Sequence, residues 1–294
     1  MHYLNQQFLT NLHLPKKDSH KGQNGKLVII GGSKLFHGAS LFALKTASRI
    51  VDMVFFSSIK PNQALTKQLK AKLYSFINIP QSRLADYIDQ SNAVLIGPGM
   101  VRGSQKFTGT GETGQQTRKK VISLLNQFPK KKWLIDAGAL HAVTLNHLRS
   151  LSNCLLTPHT FEFEKLFNCS LADKSFDQTV AIVRQQAQAI EATIVLKGRF
   201  DIIVGPSTIE KYHYQPLVNK TGNAGMTKGG TGDCLAGLTA ALACTHDLVI
   251  AGAIGAYING LAGDQLHHVV GPFFNADDLA DQVPKTLWQQ LTSS

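Results

Sequence analysis

Short runs of consecutive apolar residues recur along the chain, separated by amphipathic stretches. Lys26–Ile30 (KLVII), Met53–Phe56, Ala93–Ile96 (AVLI), Trp133–Ile135, Cys154–Leu156 and Thr193–Leu196 read as strands, and Asp201–Val204 as a hairpin strand after the last of them. Runs without polar alternation are what strands covered on both faces need. Between them, Ala39–Val51 repeats apolar residues at helical spacing. Strands alternating with helices predict a mostly parallel central sheet with helices on both faces, an α/β three-layer sandwich. From Gly229 onward the pattern turns helical, with apolar helices expected at Leu235–Ala243, Leu248–Leu266 and Asp277–Leu291. Residues 25–294 form a single domain in this reading, preceded by an extension at 1–24. Val101–Thr117, rich in Gly, Thr, Gln and Ser, reads as a flexible loop, either a lid or a surface insertion.

The residues just beyond each strand carry the chemistry. Gly31-Gly32, Gly97-Pro98-Gly99, Asp136-Ala137-Gly138, Thr157-Pro158-His159 and Lys197-Gly198 all stand at carboxyl ends. In open α/β sheets ligands bind at that edge, so these ends predict one composite site. The strongest motif is Asn223–Asp233 (NAGMTKGGTGD), which runs into an apolar helix; five glycines fall between Gly222 and Gly232. Glycines let backbone N–H groups approach an anion, and a helix start adds unpaired donors and a positive dipole end. Gly229, Gly230, Thr231 and Gly232 are therefore an expected anion hole. Asp233 sits where those donors converge. It can take a proton from an attacking hydroxyl, hold a metal, or simply cap the helix. No Gly-Lys-Ser/Thr comes after it, so this is not a Walker P-loop, and Gly31–Ala39 lacks the spacing of a dinucleotide fingerprint.

Composition narrows the partners. The 294 residues carry 30 Lys and Arg against 19 Asp and Glu, a formal charge of +11, which favours anionic ligands. No basic run is interleaved with aromatics, so nucleic acid is not the expected partner. Arg118-Lys119-Lys120 reads as a solvated helix start. Cys154, Cys169, Cys234 and Cys244 form no C-x-x-C pair and read as buried thiols in a reducing compartment. The polar N-terminus and the lack of an eighteen-residue apolar run point to a cytoplasmic protein without a membrane partner.

Other residues stay open at this level. His159 either satisfies local bonds or meets ligand. Lys197-Gly198 is either a turn or a nucleotide contact. Asp136 suits a turn or a helix cap, and Asn223 either bridges ligands or shapes its loop. His267-His268 are adjacent on a helix, face different directions and make no metal site. His37 lies in the first glycine loop.

Taken together, G-G-S-x-x-x-x-G-A at Gly31–Ala39, G-P-G at Gly97–Gly99, D-A-G-A-L at Asp136–Leu140, T-P-H-x-x-E at Thr157–Glu162, L-K-G at Leu196–Gly198 and G-N-A-G-M-x-x-G-G-T-G-D at Gly222–Asp233 resemble the ADP-dependent NAD(P)H-hydrate dehydratases of the ribokinase-like superfamily. The resemblance runs from about Gly25 to the end of the chain. It implies repair of hydrated NADH and NADPH: the ring hydroxyl is phosphorylated from ADP, AMP leaves, and phosphate is eliminated. By the same resemblance Ala39, Gly99, His159 and Asp233 contact the hydrate. Lys197, Gly198, Arg199, Phe200, Asp201 and Gly232 contact the AMP part of the nucleotide, and Asp233 is the base. Mg²⁺ is expected on the phosphates, with no direct protein ligand, along with a homotetramer and a separate epimerase, for which this chain has no room. Three departures stand out: Phe161 before Glu162, Thr227-Lys228 after the Gly-Met pair, and a longer loop after Gly99. Lys228 either meets phosphate or points to solvent. The alternatives are a vitamin-precursor kinase of the same superfamily and a non-catalytic nucleotide- or nucleic-acid-binding module.

Overall fold

The computed structural model describes residues 1–103, 111–206 and 215–292. Strands β1 (His2–Tyr3), β2 (Lys26–Ile30), β3 (Met53–Ser57), β4 (Ile77–Asn78), β5 (Ala93–Ile96), β6 (Lys132–Ile135), β7 (Asn153–Leu156), β8 (Thr193–Leu196), β9 (Asp201–Val204) and β10 (Leu217–Asn219) form one sheet. The order across it is β1-β10-β9-β8-β7-β6-β5-β2-β3-β4. Pairing is parallel except where β9 meets β8 and β10. The chain runs outward from β2 to β3 and β4, then returns to β5 on the other side of β2, so the winding reverses between β2 and β5.

The helices are α1 (His37–Ala47), α2 (Asn62–Leu69), α3 (Leu84–Gln90), α4 (Gly114–Gln127), α5 (Leu145–Arg149), α6 (Thr160–Phe167), α7 (Phe176–Ile190), α8 (Thr231–Ala243), α9 (Leu248–Val270) and α10 (Ala276–Thr292). The two-residue period of a strand splits them into two layers. Leu27 and Ile29 join one core with Leu44 of α1, Leu238 of α8, Ile254 of α9 and Leu279 of α10. Val28 and Ile30 join the other with Ile88 of α3, Val121 of α4, Phe163 of α6 and Val183 of α7. Each fully buried side chain of this size contributes about 1.5–3 kcal/mol. The expected three-layer sandwich is what forms.

Several local readings change. The first helix stops at Ala47 rather than Val51, and α8 begins at Thr231, ahead of its apolar run. Lys120 is half-buried on α4, not solvated with Arg118 and Lys119. It comes three residues after Thr117, on the inward side of the helix. Cys169 is partly exposed, unlike the other three cysteines. The loop reading of Val101–Thr117 falls partly outside the described residues; within them, Val101 is buried and Gly114–Thr117 already belongs to α4. Residues 1–24 are tied to the sheet by β1, which pairs with β10.

Candidate active site

Register builds the site. Ile30, Ile96, Ile135 and Leu156 pair in one row, so the residues after them, Gly31, Gly97, Asp136 and Thr157, line the carboxyl edge side by side. Gly97 has φ 125°, and a Cβ there would lie 1.8 Å from the Asp136 carbonyl oxygen. Only glycine allows that approach, which seats the turn after β6. One step along, His159 bridges to Lys197 across β7 and β8, and the Lys197 N–H donates to Pro158 O at 2.8 Å.

Asp136 is the hub. It is 2% exposed; Oδ1 accepts from Thr157 Oγ1 at 2.8 Å and from Lys197 Nζ at 3.1 Å. Burial alone would lower the Lys197 pKa, but the carboxylates of Asp136, Glu162 and Asp233 raise it, so the ammonium stays charged. Nζ lies 3.6 Å from where a Gly232 Cβ would be, which places the charge over the start of α8.

At that start, Gly230 caps α8 in the left-handed region with φ 100°. Among the described residues no acceptor takes the amides of Gly229, Gly230, Gly232 or Asp233. Unpaired donors at a helix N-terminus form an anion hole. Thr231 differs from its neighbours. Its hydroxyl donates to Met226 O at 2.6 Å and Lys228 O at 3.0 Å, and its amide to Lys228 O, so it braces the loop. Asn223 shapes the loop too: Oδ1 accepts from Gly225 N, and Nδ2 donates to Asp264, which also holds Gly222 N. Lys228 is exposed, and its ammonium donates to the carbonyls of Pro272 and Phe274.

The Asp233 carboxylate makes no hydrogen bond or ion pair among the described residues. Burial first, then the charge of Asp136, pushes its pKa from 3.8 to about 7, against the pull of Lys197 and Arg102. A carboxylate poised near neutrality beside an anion hole is suited to general-base work.

His159 caps α6. Its N–H donates to Glu162 Oε2 at 3.1 Å, and its Nδ1 accepts from Glu162 N at 3.3 Å, which leaves the proton on Nε2. The ring is still 44% exposed at the site edge, so the capping role leaves one face for ligand. Phe161 lies nearly parallel to that ring, with centroids 6.4 Å apart. Glu162 is buried, with Arg102, His141 and His159 all within 3.9 Å of Oε1. Gly99 has φ 71°, and a Cβ there would sit 2.0 Å from Phe36 O, so it fits the loop after β5 against the start of α1, where Ala39 lies half-buried.

A cavity of about 610 Å³ opens beside Gly232; Lys197, Gly198, Arg199 and Asp201 line it. Asp201 holds the hairpin turn, with Oδ1 accepting from Gly198 N and Oδ2 from Asn219. Phe200 is not among the lining residues and packs edge-on against Phe176. Asn259 of α9 lines the cavity, is 4% exposed, and its Oδ1 has no partner among the described residues. A buried acceptor left unpaired is costly and suits a ligand donor. Sequence reasoning missed Asn259, Arg102 and the hub role of Asp136. Only the carboxyl-end position of Asp136 signalled it.

The chain is similar to known proteins over nearly its whole length. The chain is 34% identical over 277 residues to the ADP-dependent (S)-NAD(P)H-hydrate dehydratase of Cenarchaeum symbiosum, covering 92% of this chain and 91% of that one. It is 35% identical over 283 residues to the bifunctional NAD(P)H-hydrate repair enzyme Nnr of Methanocaldococcus jannaschii, covering 93% of this chain and 50% of that one. The chain thus spans about half the length of the first such relatives. The ADP/ATP-dependent NAD(P)H-hydrate dehydratase of Bacillus subtilis, co-crystallised with ATP/Mg²⁺, shares the fold with a TM-score of 0.77 at 23% identity, over 98% of each chain. Residues 27–285 match the NAD(P)H-hydrate dehydratase family, and the chain belongs to that family.

Proposed function

We propose that this protein dehydrates (S)-NADH and (S)-NADPH hydrates at the expense of ADP. The observation that carries this is the unbonded Asp233 carboxylate, with its pKa near 7, beside four unpaired amides at the mouth of the cavity. ADP lies with its adenosine in the cavity near Asn259 and its phosphates toward Gly229–Gly232 and Lys197. The hydrate enters past Ala39, Gly99 and His159. Asp233 takes the proton of the ring hydroxyl, whose oxygen attacks the β-phosphorus. The P–O bond to AMP breaks, and the amides and Lys197 hold the charge that builds on the phosphoryl oxygens. The ring phosphate ester then loses phosphate and a proton from the neighbouring carbon, and the double bond of the dihydronicotinamide returns.

In this proposal Mg²⁺ is carried on the phosphates of the nucleotide, while Asp136 Oδ1 stays with Thr157 and Lys197. When bound, Mg²⁺ neutralises phosphate charge. A separate epimerase would supply the (S) form. A cytoplasmic homotetramer completes the proposal; among the described residues no helix is long and apolar enough to cross a membrane, and Val269 and Phe273 are 78% and 86% exposed.

The test is to incubate the protein with hydrated NADH, ADP and Mg²⁺ and to follow the return of dihydronicotinamide absorbance and the release of AMP. A stable phosphate ester without that return would make the protein a small-molecule kinase instead. No nucleotide consumption at all would leave a binding module.

A further inference from the structure

A second, smaller cavity of about 180 Å³ lies on the same sheet edge, lined by Gly31, Gly32, Gln81, Thr113, Gln116 and Lys120 among others. It sits where the winding reverses between β2 and β5, the crevice in which open α/β sheets take ligands. Its volume is below the roughly 300–1,000 Å³ of a site for a whole drug-sized molecule, so it suits one piece of a larger ligand.

Lys120 is the unusual member. It projects from α4 beside the buried Thr117 and Val121, is half-buried, and makes no hydrogen bond or ion pair among the described residues. Burial lowers its pKa, and no carboxylate acts to raise it. Glu112 also lines the cavity, but its Oε2 accepts from Lys34 N at 2.9 Å. Gln81 and Gln116 are anchored at one end, through Ser58 O and Thr113 N. A half-buried ammonium without a counter-charge is costly unless an anion joins it.

Position supplies the anion. His159 comes after β7 and Gly31 after β2, three strand spacings away through β6 and β5. At about 4.8 Å per spacing that is about 14 Å. A dinucleotide whose nicotinamide end sits at His159 and Asp233 has its remaining phosphates within reach of that span. Resting on the dehydratase assignment, we propose that Lys120 binds a phosphate in the distal half of the hydrated dinucleotide and so sets affinity for the substrate without touching the phosphoryl transfer. The chemistry is a phosphate group, from either the pyrophosphate bridge or a 2′-phosphate.

Lys120→Met tests this, with Lys120→Arg as the conservative control. The Met variant raises the KM for the hydrate about tenfold, with kcat and the KM for ADP unchanged, and Arg restores most of the affinity. Loss with NADPH hydrate alone assigns the 2′-phosphate; equal loss with both hydrates assigns the pyrophosphate. Calorimetry with NADP⁺ reads the same contact without turnover and shows about tenfold weaker binding by Lys120→Met. Its melting temperature is equal to or above that of the native protein, because a buried charge without a partner has gone. Unchanged hydrate KM and unchanged NADP⁺ affinity overturn the proposal. A native protein that binds NADP⁺ through Lys120 yet turns over no hydrate would overturn the dehydratase assignment alone.

Discussion

Asp233 answers to two opposed requirements. A base must be ionised to accept a proton, yet burial and Asp136 hold this carboxyl near pKa 7, so it is only partly ionised at neutrality. In the free enzyme, kcat/KM for the hydrate should therefore rise with pH along a limb centred near 7. Asp233→Asn removes that limb and lowers kcat/KM by about 10²–10⁴, while ADP affinity measured by calorimetry stays near the native value. Turnover and pH profile unaltered by the amide would remove Asp233 from its role. The same group marks stability. Between 3.8 and about 7 the folded chain holds a proton that the unfolded chain has lost, so stability falls as pH rises through that window. The amide variant should melt higher than the native protein at pH 8, and the two should converge near pH 4. The glycines and Asp233 were legible in sequence because anion holes are built from contiguous backbone. Asp136 was not, since its partners Thr157 and Lys197 lie 21 and 61 positions away and only the fold joins them.

At the level of elements, α8 is the part that cannot be re-cut. Gly230 holds φ 100°, and a Cβ would fall 2.6 Å from the Ala276 Cβ and 2.7 Å from the Phe42 ring. Gly230→Ala should cost about 2–4 kcal/mol and depress turnover, because the strained backbone and displaced neighbours tilt the amides away from the phosphate. Thermal melting together with the ADP KM checks it; a stable variant with native KM would mean the cap is not rigid. The central strands were readable because burial on both faces leaves unbroken apolar runs. The short strands β1, β4 and β10, two or three residues each, offer no period to detect. Lys120 reads as solvated in sequence because its basic neighbours mask a helical register that turns it inward.

Across the molecule, the carboxyl ends of β2, β5, β6, β7 and β8 share one sheet edge with the amino end of the antiparallel β9, and the proposed function sets nucleotide, transfer centre and substrate along it. The sheet margin just beyond β9 depends on the first residues. His2 N and Leu4 N donate to Pro216 O and Val218 O, and Leu9 is 3% exposed. Deleting residues 1–12 should lower the melting temperature by about 5–10 °C, from the lost burial of Leu9 and its neighbours and the bared edge of β10. An unchanged melting curve would show that this segment is only an appendage. The parallel layering was legible in the alternation of strand and helix, whereas the docking of residues 1–12 was not, because its contacts reach Gln290 and the residue after it, His13, meets His246 at the far end of the chain.

The sulfur atoms carry a practical consequence. Burial holds the Cys234 and Cys244 thiols near pKa 12 and pushes Cys154 higher still, so almost none of their thiolate exists in neutral water. Cys169, just past the end of α6, is the partly exposed one. The native chain thus comes with a single partly exposed thiol for a maleimide dye, two residues past the C-terminal end of the helix whose N-terminus His159 caps, and burial and Glu164 raise its pKa, so labelling there should be selective and speed up with pH.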